Sequence, residues 1–210
     1  MNIAKTLLSI LLFSVCISMN AQISPEIMGV LEKCDEKMDT PEGLEIDMNV
    51  HVGMLVISMN GTIKSYSKNE KSLTSVTLKA LGKEFTEVNG YDGEQEWTYE
   101  SKSDSLIITK SDKKEKGDYD IDLELHEEYN TAKMKVKNGN YEITFTDPKT
   151  KDAPKKAEMI INKDYFLQEI SMKQGPLSVK MTVTNIKIGV NDNIFKLDMS
   201  KYPTAKVVRK

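Results

Sequence analysis

Among its 210 residues the chain has a single arginine, Arg209. A nucleic-acid binder needs a basic face and the guanidinium forks that grip phosphates and guanine edges. A formal charge of −3 and one arginine at the far end exclude that class. Cysteine is almost as scarce, with only Cys16 and Cys34 present. Cys16 lies in a segment expected to be removed, so no internal disulfide is available. An exported domain of this size must then be held by its core alone. Aromatic residues make up only 7% of the chain. Past the N-terminus no apolar run approaches the roughly 20 residues that a membrane helix takes.

Motifs that carry chemistry are missing as well. His51 and His126 are far apart, with no cysteine partner and no His-x-x-x-His spacing. No zinc ligand set is spelled out, and no metal is expected. There is no Gly-x-Ser-x-Gly, no phosphate-binding glycine loop and no dinucleotide fingerprint. Asp118, Asp120, Asp122 and Glu124 alternate with apolar residues but lack the fixed glycine and terminal glutamate of a calcium loop. They read as a solvated face. No cofactor is implied, and the chain does not read as an enzyme.

What is present begins with an address. Lys5 precedes an apolar run over residues 7–17, and a small residue, Ala21, follows. This reads as a secretory signal peptide over residues 1–21, leaving residues 22–210 as one domain. Val15 stands before Cys16 where a lipid-modified cysteine takes a small neighbour, so Cys16 reads as an ordinary member of the run.

Ser24-Pro25 then opens a helix, serine as cap and proline at the first helical position. Ile27, Val30, Leu31, Cys34 and Met38 form one apolar stripe. From Leu44 the period changes to two. Leu44, Ile46, Met48, Val50, Val52, Met54 and Val56 alternate with mostly polar residues, with a bulge or bend expected at Gly53. Asn60-Gly61 predicts a tight hairpin. The stretch from Asn89 to Gly93 predicts a second turn, after which Trp97 and Tyr99 share a face. Residues 111–130 fit a short irregular or helical crossing. Asn138-Gly139 predicts another hairpin, and alternation resumes through Ile143 and Phe145, then Val179, Met181 and Val183. About 10–11 strands are predicted, with turns every 8–12 residues and one N-terminal helix. Consecutive hairpins of this kind build an antiparallel sheet that curls.

One helix is little cover for so many strands. Either the sheet closes and its own side chains fill it, or a cavity is left for an apolar ligand. The twelve methionines bear on this choice. Methionine fills irregular cores, and it also suits a surface that adapts to variable apolar shapes.

The stretch Asn89-Gly90-Tyr91-Asp92-Gly93-Glu94-Gln95-Glu96-Trp97-Thr98-Tyr99 resembles the DG-x-x-x-W-x-Y region of the LolA-like periplasmic lipoprotein carriers, in its Bacteroidota-type form. Asn193-Ile194-Phe195-Lys196-Leu197 and Tyr202-Pro203 are similar to that family's ending. The resemblance implies a mainly β fold, an unclosed antiparallel half-barrel under a helical lid. It implies a monomeric periplasmic carrier that shields lipoprotein acyl chains, or another lipid, on the way to the outer membrane. Its partners would be an inner-membrane release complex and an outer-membrane acceptor. A related module of the same fold that senses lipid without transporting it is the alternative. The sequence departs from the family in one respect. Carriers of this kind place an arginine in an early strand to gate the lid, and here no residue inherits that role. The candidate cavity lining is Met48, Val50, Val52, Met54, Trp97, Tyr99, Ile143, Phe145, Val179, Met181 and Val183.

Overall fold

The computed structural model describes residues 23–55, 57–110, 125–151 and 153–210. The expected signal segment, residues 1–21, and the acidic alternation over residues 118–124 lie outside the described residues.

Helix α1 (Pro25–Met38) forms where the sequence places it. The Ser24 hydroxyl accepts from the Ile27 N–H at 3.4 Å, and proline occupies the first turn, where a missing N–H costs nothing. The helix ends as the Asp39 N–H bonds the Asp35 carbonyl. It buries Ile27, Val30, Leu31 and Cys34, the predicted stripe.

The strands among the described residues form one sheet. Its strands are β1 (Leu44–Met54), β2 (Ile57–Lys68), β3 (Lys71–Ala80), β4 (Lys83–Tyr91), β5 (Gln95–Glu100), β6 (Ser105–Lys110), β7 (Tyr129–Lys137), β8 (Asn140–Pro148), β9 (Lys156–Ile161), β10 (Leu167–Gln174), β11 (Leu177–Ile188) and β12 (Lys206–Arg209). Their spatial order is β12-β6-β5-β4-β3-β2-β1-β11-β10-β9-β8-β7. The edge strands β12 and β7 do not pair with each other, so the sheet is an open half-barrel with α1 laid against it.

Twelve strands replace the predicted 10–11. The addition is β12, which pairs in parallel with β6. Its Val207-Val208 core is too brief to stand out from a polar tail. In the expected crossing, the described part holds one helical turn, α2 (Leu125–Glu128), and β7 begins at Tyr129.

Three local expectations are corrected. Asn60-Gly61 is not a hairpin turn but lies inside β2, because β1 turns earlier and Met54 pairs directly with Ile57. Gly61 is there for close approach, since a Cβ would meet the Thr77 carbonyl oxygen and the Leu78 side chain. Asn89-Gly90 likewise lies inside β4, and the turn is confined to Asp92 and the residues after it. There the Asp92 carboxylate accepts from the Glu94 and Gln95 N–H groups, an Asx turn. Finally, pairing stays regular at Gly53, opposite Ser178, and the register shift falls between Asp47 and Met48. Asn138-Gly139 does turn as predicted, both residues having positive φ.

Candidate ligand-binding site

Residues directly opposite one another in an antiparallel pair project from the same face. Register therefore assigns every side chain. Met48 sits opposite Ile63, Ile63 opposite Val76, and Val76 opposite Glu87. One row on, Val50, Gly61, Leu78 and Phe85 follow each other across the sheet. In the other direction Met48 opposes Val183, and Val50 opposes Met181. From there the row runs through Ile170, Met159 and Ile143. This is the inner face, the side on which α1 packs.

The inner face has two halves. Over β8–β11, the α1 stripe closes on Ile143, Phe145, Met159, Ile161, Leu167 and Ile170, all buried. Beyond β1 the cover stops short of the sheet margin. A groove of about 580 Å³ lies along β3–β5, lined by Val76, Leu78 and Phe85 and rimmed by Glu87, Glu100 and Lys102. Phe85 is 37% exposed and Met54 is 45% exposed at that end. The rim is polar and its floor aliphatic and aromatic, the composition of a site for an apolar chain.

The structure divides the predicted lining into three sets. Met48, Val50, Val52, Val179, Met181 and Val183 do meet on the inner face along the β1–β11 pair, with Met48 and Val50 buried there and Met54 at the exposed end. Ile143 and Phe145 share that face but are shut beneath α1 in solid core. Trp97 and Tyr99 project from the opposite face. Trp97 opposes Gly90, Gly90 opposes Leu73, and Leu73 opposes Tyr66, none of them on the inner row.

The C-terminal tail covers this outer patch. Leu197, Tyr202 and Ala205 pack on Trp97, Leu106 and Ile108, and the rings of Tyr99 and Tyr202 stand 4.5 Å apart. Burial raises the phenol pKa of Tyr99, and its hydrogen bond to Asp104 raises it further. A smaller hollow of about 200 Å³ remains beneath the tail, beside Tyr66, Leu73 and Trp97.

Sequence reasoning missed Val76, Leu78 and Phe85. Their alternation was visible, but the face each strand presents is fixed by the loop before it. Here both faces carry apolar side chains, because helix and tail cover opposite sides. An apolar residue then says that it is covered, not by what.

The charged groups are arranged around the scaffold. On the outer face Lys64 sits 3.3 Å from Asp47 and 3.6 Å from Glu45. The bond to Asp47 leads in holding its ammonium pKa above the ordinary lysine range. His51, exposed on the same face, contacts Asn60 at 2.8 Å. Lys33 of α1 donates to the Tyr165 hydroxyl at 3.4 Å, and the Tyr165 ring stacks on Tyr141. Among the described residues no group of three His, Cys, Asp or Glu side chains could hold a metal ion.

No family model matches the chain, and no curated protein matches it. Solved structures do. An uncharacterized conserved protein from Thermus thermophilus superposes with a TM-score of 0.55 at 12% identity, covering 88% of this chain and 99% of that one. The two share a fold. Further similar structures include the Mycobacterium tuberculosis lipoprotein LppX (TM-score 0.47, 12% identity, covering 80% of this chain and 98% of that one). Another is a LolA superfamily protein, NE2245, from Nitrosomonas europaea (TM-score 0.37, 12% identity, 81% and 97%). At such identities likeness speaks to fold alone. The open antiparallel half-barrel under an N-terminal helix is the architecture that the sequence resemblance implies.

Proposed function

We propose that this protein is a periplasmic lipid carrier that holds the acyl chains of lipoproteins, or another lipid, on its inner sheet face and moves them toward the outer membrane. The observation that carries this reading is that α1 covers one half of a continuous apolar face and leaves the other half as the groove at Val76, Leu78 and Phe85. Each methylene removed from water contributes about 0.8 kcal/mol, so an acyl chain has a strong reason to enter such a trough. Met54 and Met181 lie on the same face without being fully buried, and their flexible thioethers let it adapt to chains of different shape, while Met48 is packed in the core beneath Met38 of the helix. The expected signal peptide and the resemblance around Asp92, Gly93, Trp97 and Tyr99 support an envelope location. On this reading the loading and receiving partners are an inner-membrane release complex and an outer-membrane acceptor.

Uptake of a fluorescent diacylated lipopeptide tests the proposal. The protein is expected to bind it, and Leu78→Glu, which puts a charge on the groove floor, is expected to weaken binding at least about tenfold. Equal binding by the Leu78→Glu protein contradicts the site.

A further inference from the structure

On the outer face, the apolar cluster around Trp97 is not filled as an interior is. Side chains in a core interlock and leave few voids larger than a water molecule. Here a hollow of about 200 Å³ stays open between sheet and tail, bounded by Tyr66, Leu73, Val88, Trp97 and Tyr202. Register explains why it forms. Lys64 opposes Ser75, and Ser75 opposes Val88, so one short side chain stands in a row of larger ones. The tail crosses above on two 3-10 turns, Asp192–Phe195 and Met199–Lys201, and closes the far wall.

The walls and the mouth differ in chemistry. Three of the five bounding side chains are aromatic, which favours a flat ring packed against them. The volume is below the roughly 300–1,000 Å³ of a drug-sized site, so it takes one ring and not an acyl chain. At its floor the Ser75 hydroxyl makes no hydrogen bond among the described residues, whereas Thr74 and Thr77 beside it are tied to Ser65 and Thr86.

The mouth is charged. Lys64 is committed to Asp47 and Glu45. Lys196 and Lys201 are exposed there and form no ion pair among the described residues. The acid that joins them is Asp198, whose carboxylate accepts from the Ser200 N–H at 3.1 Å and the Ser200 hydroxyl at 2.6 Å. Two ammonium groups face one carboxylate already held by serine, so the mouth carries one positive charge in excess. A small aromatic ring bearing one negative charge matches both the walls and the mouth.

We infer that the hollow beneath the tail is a second site, for a small aromatic carboxylate whose ring enters between Tyr66, Trp97 and Tyr202 and whose carboxylate meets Lys196 and Lys201. The site lies on the face opposite the acyl groove and stands apart from the carrier reading.

Benzoate is the probe, titrated into the full chain and followed by saturation-transfer NMR and by the emission of Trp97. Benzyl alcohol and benzylamine are run beside it. Benzoate is expected to shift the emission and to bind at least about fivefold more tightly than benzylamine. Ser75→Leu fills the floor and is expected to abolish binding, while lipopeptide uptake on the inner face matches the wild type. The double variant Lys196→Gln, Lys201→Gln leaves the walls intact and is expected to weaken benzoate about threefold or more without changing benzyl alcohol. Leu78→Glu is expected to bind benzoate as the wild type does. Absence of any benzoate signal overturns the inference, as does equal binding by Ser75→Leu. Benzylamine bound as tightly as benzoate overturns it too. Binding lost in Leu78→Glu but kept in Ser75→Leu places the ring in the inner groove and likewise overturns it.

Discussion

Gly90 shows how one residue settles the meaning of a motif. A Cβ on Gly90 would collide with the Trp97 ring, so the indole lies across a strand position that only glycine leaves open. Next to it, the Tyr91 hydroxyl donates to the Gly93 carbonyl, and the Asp92 carboxylate gathers two N–H groups. The stretch from Asn89 to Tyr99 is thus one packing unit on the outer face. The motif therefore packs the outer face and does not line the inner groove. Gly90→Ala is expected to cost about 1–3 kcal/mol as the ring is displaced, measured by denaturant unfolding. Cys34 is governed by burial in the same way. Desolvation, with Asp35 adding to it, pushes its thiol from an ordinary 9.0 up to about 12. The unfolded thiol ionises first. Stability from this group is therefore complete below pH 9 and declines as pH rises toward 12. Native protein is expected to resist thiol reagents at pH 8 and react only on unfolding. Rapid labelling of the native state contradicts this burial.

At the scale of elements, the question is what fastens α1 to the sheet. The Lys33–Tyr165–Tyr141 contact is exposed, and such pairs contribute about 0–1 kcal/mol. The apolar stripe contributes far more. Lys33→Ala is expected to change unfolding free energy by less than about 1 kcal/mol, against about 2–5 kcal/mol for Leu31→Ala, which leaves a cavity under the helix. The tail is a second cover on the opposite face. Since Trp97 is the only tryptophan and is 2% exposed, Tyr202→Ala should shift its emission to longer wavelength. Unchanged emission contradicts the tail's role as its shield.

These two covers also explain what was readable in the sequence. Helix α1 was legible from its cap and stripe, and most strands from period-two alternation, because both signals are local. Asn60-Gly61 misled because the tightest turn signal in β1–β2 sits where a crowded strand crossing also demands glycine. Trp97 and Tyr99 misled because a strand's face depends on loop parity and on a tail about a hundred residues later in the chain. The six β1 and β11 residues that do share the inner face were found because both strands are long and unbroken in pattern.

The whole molecule is an asymmetric half-barrel: core filled by a helix on one side, trough left on the other. The missing early-strand arginine fits this picture. The described contacts hold α1 by apolar packing and one lysine–tyrosine contact rather than by a strong polar gate. Access to the groove then does not wait on breaking such a bond. Lipid exchange measured in detergent is expected to depend weakly on salt.

The most direct test is mass spectrometry of lipid extracted from the protein purified out of the cell envelope, beside the Leu78→Glu protein prepared in parallel. A carrier of this design yields acyl lipid in near-stoichiometric amount from the wild type and little from the variant. A wild-type protein that comes out empty and then takes up no lipopeptide contradicts it.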